Sequence, residues 1–227
     1  MCKLGIVVGA APIGKEKEHL LELVNGENVY VVAADGGFEV LQNENIVPDE
    51  WVGDMDSISP GCLKMLDSVC FSKRDEMHID DYRGIKITHV SPIKDYTDME
   101  MGLEKIFEAG CDTAIIFGGI GGERIEHSLA NIQLIYKYAL MGKKVIIVAD
   151  NRQMFAIHNN AMTFSVNERG YISVFSLSEI ARNVCIKGLK YEFEGNLTNH
   201  NAIGVSNEFC GKESSISVEE GTLLIVK

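Results

Sequence analysis

The segment Gly53-Asp54-Met55-Asp56-Ser57 places two carboxylates two residues apart behind a glycine. In an extended segment, side chains i and i+2 point to the same face, so Asp54 and Asp56 can converge on one hard cation. A metal-held phosphate is the chemistry that this arrangement suggests most simply. A solvated acidic loop gives the same D-x-D pattern, so the assignment of a metal site depends on other segments of the chain.

Two of these segments carry acidic residues where strands are predicted to end. Asp35 follows the apolar run Val29–Ala34 and precedes two glycines. Asp95 and Asp98 follow Lys94, between a predicted strand and a predicted helix. Open α/β sheets bind ligands beyond the carboxyl ends of their strands. Thr97 to Glu100 has the T-x-x-E form of a capping box, which predicts a helix with Asp98 in its first turn. There Asp98 either complements the helix dipole or takes part in a site, and both interpretations stay open.

A third segment, Gly118-Gly119-Ile120-Gly121-Gly122, contains four glycines in five residues. It follows a predicted strand and precedes a predicted helix over 126–141, with Leu129 facing the core. Glycines here let backbone N–H groups approach an anion closely. The spacing matches neither the Walker motif nor G-x-G-x-x-G. Arg124 and His127 lie at the start of the helix, where an anion contact is credible.

The composition limits the classes of function. A net charge of −12 over 227 residues disfavours nucleic acid as a partner. No apolar run approaches the ~18 residues of a membrane span, so we expect a cytoplasmic protein that does not bind a membrane. The six cysteines form no C-x-x-C pair, which favours reduced thiols.

The predicted elements indicate two domains. Residues 1–150 alternate buried strands with helices, which is typical of a mostly parallel sheet flanked by helices, a Rossmann-like α/β fold. Residues 151–227 contain short strand-like runs and turn signals, which predict a C-terminal all-β sandwich. Residues 72–84 are predicted to form a loop, 59–66 a helix, 202–205 a strand, and Gly195-Asn196 a turn.

The ordered set of motifs resembles the thiamine pyrophosphokinase family, which transfers a pyrophosphoryl group from ATP to the hydroxyl of thiamine. The motifs that carry the resemblance span nearly the whole chain: Asp35-Gly36-Gly37, Gly53 to Ser57, Lys94 to Asp98, Gly121 to Asn131, and Gly204 to Phe209. Each motif is weak alone, but their order and rough spacing are specific. The resemblance implies an N-terminal catalytic α/β domain that binds ATP and Mg²⁺, a C-terminal β-sandwich that binds thiamine, and a homodimer.

The resemblance also implies roles for individual residues. The catalytic carboxylates would be Asp35, Asp54, Asp56 and Asp98, of which the last three would bind Mg²⁺. The contacts to the ATP phosphates would come from Lys94, Gly121, Gly122, Arg124 and His127. The contacts to thiamine would come from Asp35, Ser206 and Asn207. Which aspartate accepts the proton of the thiamine hydroxyl stays open.

Two departures from the family pattern are visible. One is the stretch between Tyr191 and His200 in the β-domain, to which no substrate contacts are assigned, and the other follows the glycine segment directly. The family usually has Gly-Gly-Arg, any residue, then Asp-His, whereas here Glu123 precedes Arg124 and Glu126 replaces the aspartate. Two other functions remain alternatives: a Mg²⁺-dependent phosphatase with an aspartyl nucleophile, and a non-catalytic sensor of thiamine or nucleotide. A phosphatase of this kind needs an apolar strand that runs directly into its aspartate, whereas Asp49, Glu50 and Gly53 interrupt the segment before Asp54. A sensor would be expected to lose carboxylates, whereas all four acidic positions are filled here.

Overall fold

The computed structural model describes residues 4–54, 78–82, 84–90 and 95–227, with the backbone alone for 78–82. The chain forms two compact units. Residues 1–131 and 147–151 belong to the first unit, and residues 132–146 and 152–227 belong to the second. The helix over 125–140 and the strand over 144–149 are divided between the units and are described with the first. The predicted functional division at residue 150 stays a prediction.

The first unit is built on a mostly parallel sheet. Its strands are β1 (Leu4–Val8), β2 (Val29–Ala34), β3 (Glu50–Gly53), β4 (His78–Tyr82), β5 (Ile85–His89), β6 (Thr113–Phe117) and β7 (Lys144–Ala149). The strand order is β7-β6-β1-β2-β3-β5-β4. The pairs β1–β2, β1–β6, β2–β3 and β3–β5 are parallel, whereas β4 is antiparallel to β5. The strand β4 lies within residues 72–84, so the prediction of a loop there is wrong for 78–82.

Helices cover this sheet because its central strands are apolar on both faces. Ile6, Val7 and Val8 of β1 are fully buried, and each such side chain contributes roughly 1.5–3 kcal/mol by leaving water. The helices are α1 (Lys17–Val24), α2 (Gly37–Asn43), α3 (Asp98–Glu108) and α4 (Ile125–Leu140). The contacts of α3 extend over β1, β2 and β3, and α2 packs on β1 and β2. The predicted helix over 59–66 lies outside the described residues.

The second unit contains two antiparallel sheets. Its strands are β8 (Arg152–His158), β9 (Ala161–Phe164), β10 (Tyr171–Ser176), β11 (Ile180–Lys187), β12 (Phe193–Thr198), β13 (Asn207–Glu208), β14 (Ser214–Ser217) and β15 (Thr222–Val226). One sheet has the order β13-β10-β15-β8 and the other β12-β11-β14-β9. Residues from both sheets, among them Ile172, Ile186 and Leu223, form one hydrophobic core. This arrangement confirms the expected all-β sandwich.

Two local predictions in the second unit are wrong. Residues 203–206 form a turn that leads into β13, and residues 202–205 contain no strand. Gly195 and Asn196 lie inside β12, opposite an irregularity in the register of β11 between Ala181 and Val184. A glycine inside a strand often marks such an irregularity, and the sequence alone does not separate it from a turn.

Two further sequence predictions concern the cysteines and membrane-spanning segments. Cys185 and Cys210 are free, but Cys111 is disulfide-bonded, so the prediction of reduced thiols is wrong for that residue. Within the described part of the chain, no helix combines the length and apolar character that crossing a membrane requires.

Candidate functional site

A cavity of about 300 Å³ lies at the carboxyl ends of the strands of the first unit. Its wall comes from the loop after β1, the end of β2, the start of α3 and the segment from β6 into α4. Its polar lining comprises Asp35, Thr97, Asp98, Glu123, Arg124, His127 and Asn131. The cavity therefore gathers the predicted segments that surround Asp35, Asp98 and the glycines.

Backbone groups form one side of this cavity because two loops cross in direct contact. The Gly9 amide donates to Phe117 O at 2.8 Å, and the Ala11 amide donates to Gly118 O at 3.1 Å. A Cβ atom at Gly9 would lie 2.6 Å from Gly118 O, so a side chain there would separate the loops. Glycine at this crossing lets the loops after β1 and β6 share one wall of the cavity.

Asp35 is held in place through its backbone. Its φ is 47°, a left-handed conformation that aspartate tolerates better than most residues. Its amide donates to Val52 O at 2.8 Å, and its carbonyl accepts from the indole Nε1 of Trp51 at 3.1 Å. Trp51 is fully buried and stacks on Phe38 with ring centroids 4.1 Å apart. The stacked indole of Trp51 thus holds the backbone of the turn at Asp35, a residue that lines the cavity.

Asp98 is the first residue of α3, as the capping box predicts. The Thr97 side chain accepts a hydrogen bond from the Glu100 amide at 3.2 Å and caps the helix. Asp98 itself is half-buried and lines the cavity with Asp35. Thr97 provides the side-chain cap, while Asp98 in the first turn is placed both to complement the helix dipole and to act in the site, so both interpretations stay open.

The predicted D-x-D pair is described only in part. Asp54 is half-buried and follows β3, whose register pairs Val52 with Ala34 of β2, so Asp54 and Asp35 lie at the same sheet edge. Asp56 and Lys94 lie outside the described residues. Among the residues that are described, no three His, Cys, Asp or Glu side chains form a group that could hold a metal ion. The metal site therefore stays a prediction.

The glycine segment reaches the cavity in a conformation that favours glycine. Gly121 and Gly122 have φ of 95° and 77°. Beyond them, Arg124 is exposed, and its Nε donates to Glu126 Oε1 at 2.9 Å. This hydrogen bond is the main reason that the pKa of Glu126 lies below its usual value. His127 is also exposed at the rim. Glu126, which stands where the family usually has aspartate, thus binds Arg124 of the same loop.

Three residues that matter for this geometry were absent from the predicted site. Ser128 Oγ accepts from the Gly121 amide at 3.0 Å, and Asn131 Nδ2 donates to Gly119 O at 2.6 Å. Both side chains are buried, whereas Leu129 is 60% exposed, so the prediction that Leu129 faces the core is wrong. The i, i+3 spacing of Ser128 and Asn131 could have indicated that both lie on one face of the helix. Hydrophobic periodicity instead predicted that other residues of this helix are buried. No pattern in the sequence indicates that Trp51 donates a hydrogen bond to Asp35 O.

Ser206 and Asn207 belong to the second unit. Ser206 is exposed with φ of 59°, and its amide donates to Ser173 Oγ at 3.1 Å. Asn207 is 5% exposed, and its side chain binds the backbone of Tyr191 twice, accepting from the amide at 2.9 Å and donating to the carbonyl at 2.7 Å. The Asn207 side chain therefore has a structural function, whether or not it also touches a ligand.

Two protein-family models match this chain. Residues 21–148 match the family model of the thiamin pyrophosphokinase catalytic domain, and residues 159–223 match that of the thiamin pyrophosphokinase vitamin B1 binding domain. A thiamine pyrophosphokinase of Bacillus subtilis is 28% identical over 205 residues, which are 88% of each chain.

Solved structures agree at the level of the fold. The crystal structure of the Bacillus subtilis thiamine pyrophosphokinase has a TM-score of 0.80 at 23% identity and covers 99% of this chain and 98% of its own. The thiamin pyrophosphokinase of Candida albicans has a TM-score of 0.77 at 18% identity, with coverage of 99% and 88%. Because the catalytic model alone matches more than half of the chain, this protein belongs to the thiamin pyrophosphokinase family.

Proposed function

We propose that this pyrophosphotransferase binds the triphosphate of ATP in the cavity of the first unit and transfers its terminal pyrophosphoryl group to the hydroxyl of thiamine. The products are thiamine diphosphate and AMP. One observation carries the proposal: Asp35 and Asp98, from separate elements, line the same cavity as the glycine segment and Arg124.

The phosphate contacts are assigned to the glycine segment and its neighbours. Backbone N–H groups at the start of a helix favour bound anions, and two helices, α3 and α4, begin at this cavity. The lack of side chains at Gly121 and Gly122 lets a phosphate approach the loop closely, and Arg124 and His127 provide side chains that bind phosphate oxygens. Lys94 is assigned the same role from the family motif.

The balance of charge in the cavity supports a requirement for Mg²⁺. Among the described lining residues, the carboxylates of Asp35, Asp98 and Glu123 outnumber the arginine, so a polyanion entering alone would be repelled. Magnesium prefers oxygen ligands and binds through one or two carboxylates together with phosphate oxygens and waters, so it does not need three preassembled side chains. We assign Asp54, Asp56 and Asp98 as the residues from which its carboxylate ligands come. When bound, Mg²⁺ neutralises charge on the phosphates as AMP leaves.

The transfer itself requires alignment and removal of one proton. The thiamine hydroxyl oxygen bonds to the β-phosphorus of ATP, and the bond from that phosphorus to the oxygen bridging to the α-phosphate breaks, which releases AMP. The hydroxyl proton passes to a carboxylate of the cavity, Asp35 or Asp98. Phosphoryl transfer depends mostly on positioning and electrostatic stabilisation, which a rigidly held turn such as that at Asp35 supplies.

The remaining assignments follow the family. Residues 1–150 form the catalytic domain and residues 151–227 the thiamine-binding domain, in which Ser206 and Asn207, with Asp35 of the catalytic domain, contact thiamine. The protein acts as a cytoplasmic homodimer and needs neither nucleic acid nor a membrane. Light scattering of the purified protein tests the dimer: a monomer mass at micromolar concentration would contradict it.

Identification of the nucleotide product tests the proposed reaction. The protein is incubated with ATP, Mg²⁺ and thiamine, and the expected products are AMP and thiamine diphosphate in equal amounts. ADP would indicate transfer of a single phosphoryl group, and absence of turnover would support the sensor alternative. Family membership disfavours the phosphatase alternative, which would release phosphate without thiamine.

The same assay tests the cavity when it includes paired variants. Asp35→Asn removes a carboxylate from the cavity, whereas Asp112→Asn removes an exposed carboxylate next to β6, away from the cavity lining. Loss of AMP formation in the first variant alone supports the proposed site. Equal activity of the two variants would remove Asp35 from it.

A further inference from the structure

Two buried polar residues of α4 are connected to the glycine segment by hydrogen bonds. Ser128 is 9% exposed and Asn131 is 5% exposed. Ser128 Oγ accepts from the Gly121 amide, and Asn131 Nδ2 donates to Gly119 O. A buried polar side chain is costly unless it is hydrogen-bonded, and these two hydrogen bonds offset that cost. Their partners are backbone groups of one loop.

These contacts change which groups of the loop can reach a phosphate. The Gly121 N–H is directed to Ser128, so this amide is already used before any ligand binds. Among described residues, the Gly122 amide has no such acceptor, and Gly122 lines the cavity. With φ of 77°, Gly122 holds a conformation that glycine adopts at little cost. The loop therefore presents Gly122 and the residues after it, while Gly121 serves as its anchor.

We propose that Ser128 and Asn131 are positioning residues that fix the glycine segment in its ATP-binding conformation before ATP arrives. This inference rests on the proposed function for the identity of the ligand, but the hydrogen bonds exist without it. A loop that is ordered in advance loses less conformational entropy on binding, so its affinity for the triphosphate is higher. Loss of either contact loosens the loop and weakens ATP binding, without altering the groups that contact thiamine.

The first experiment measures the loop directly. Amide hydrogen exchange of Gly121 is compared in ligand-free wild type, Ser128→Ala and Ser128→Thr. We expect exchange about tenfold faster in the alanine variant, the scale of one neutral hydrogen bond, and near-normal exchange in the threonine variant, which keeps the hydroxyl. Unchanged exchange in Ser128→Ala would overturn the proposal.

The second experiment measures the consequence for ATP. Ser128→Ala and Asn131→Leu should raise KM for ATP about tenfold and leave KM for thiamine unchanged, with Ser128→Thr close to wild type. Gln133→Ala, an exposed position of the same helix, is the control and should alter neither constant. Faster exchange with an unchanged KM for ATP, or equal changes in both KM values, would overturn the positioning role. A wild type that forms no AMP would instead contradict the proposed function, and the exchange data would still decide whether Ser128 holds the loop.

Discussion

Replacement of Trp51 by phenylalanine tests how the fold presents Asp35. The phenyl ring can still stack on Phe38, but the Nε1–H that donates to Asp35 O at 3.1 Å is lost. That carbonyl also accepts from the Phe38 amide at 3.2 Å, so it is not left without a donor. The lost hydrogen bond therefore costs about 1 kcal/mol. The space left by the smaller ring adds about 1–2 kcal/mol because Trp51 is fully buried.

The expected result combines a moderate loss of stability with a larger loss of activity. A total of about 2–3 kcal/mol corresponds to a fall in Tm of roughly 5–10 °C. Turnover should fall by about 10–100-fold, because small displacements of a reacting group have effects of this size. Calorimetry and AMP formation are measured on the same Trp51→Phe preparation at a temperature where it stays folded.

Phe38→Leu is the matched control for this experiment. It removes the stacked ring but keeps the Trp51 Nε1–H and the Asp35 carbonyl, so it should lose similar stability and retain turnover close to that of the wild type. If both variants lose stability and activity together, the aromatic pair contributes only to folding. A Trp51→Phe protein with normal turnover would refute the argument that the indole positions Asp35.

Three further predictions concern separate groups. Asp98→Asn should keep the fold, because the cap of α3 comes from the preceding threonine, while turnover falls about 100-fold; near-normal turnover beside an unchanged Asp112→Asn control would exclude Asp98 from the chemistry. Glu126→Gln removes the carboxylate that holds Arg124 and leaves a more positive loop, so KM for ATP should fall at low salt and depend more strongly on salt concentration; an unchanged KM at low salt would contradict this. Burial and then a nearby carboxylate raise the pKa of Tyr30 above its ordinary value of 10.0. Its contribution to stability is therefore complete below pH 10 and is lost as the pH rises above it, and Tyr30→Phe should flatten the alkaline limb of a plot of unfolding free energy against pH.

Much of the first unit was predictable because its strands are buried on both faces. The runs at β1, β2 and β6 are continuously apolar, a pattern that few other structures share. β4 was not predictable, since its sequence His78-Ile79-Asp80-Asp81-Tyr82 is polar and its strand character comes from antiparallel pairing with β5 at the end of the sheet order. Tertiary context overrides local propensity at such edge strands.

The candidate site was also predictable only in part. Asp35, Asp98 and the glycine segment were predictable because each follows a strand or begins a helix at the carboxyl edge of a parallel sheet. The supporting contacts of Trp51 and Ser128 were not, because they depend on which backbone atoms lie opposite in the folded chain. Sequence patterns therefore identify the groups that could react, whereas the hydrogen bonds that position those groups are visible only in the folded structure.

The location of bound nucleotide tests the central claim most directly. The measurement is a crystal structure of the protein with Mg²⁺ and an ATP analogue whose α–β bridging oxygen is replaced by a methylene group, which blocks the transfer. We expect the triphosphate to lie between the carboxylates of Asp35 and Asp98 and the backbone of Gly122, with Arg124 turned away from Glu126. A nucleotide bound elsewhere, with this cavity containing only water, would contradict it.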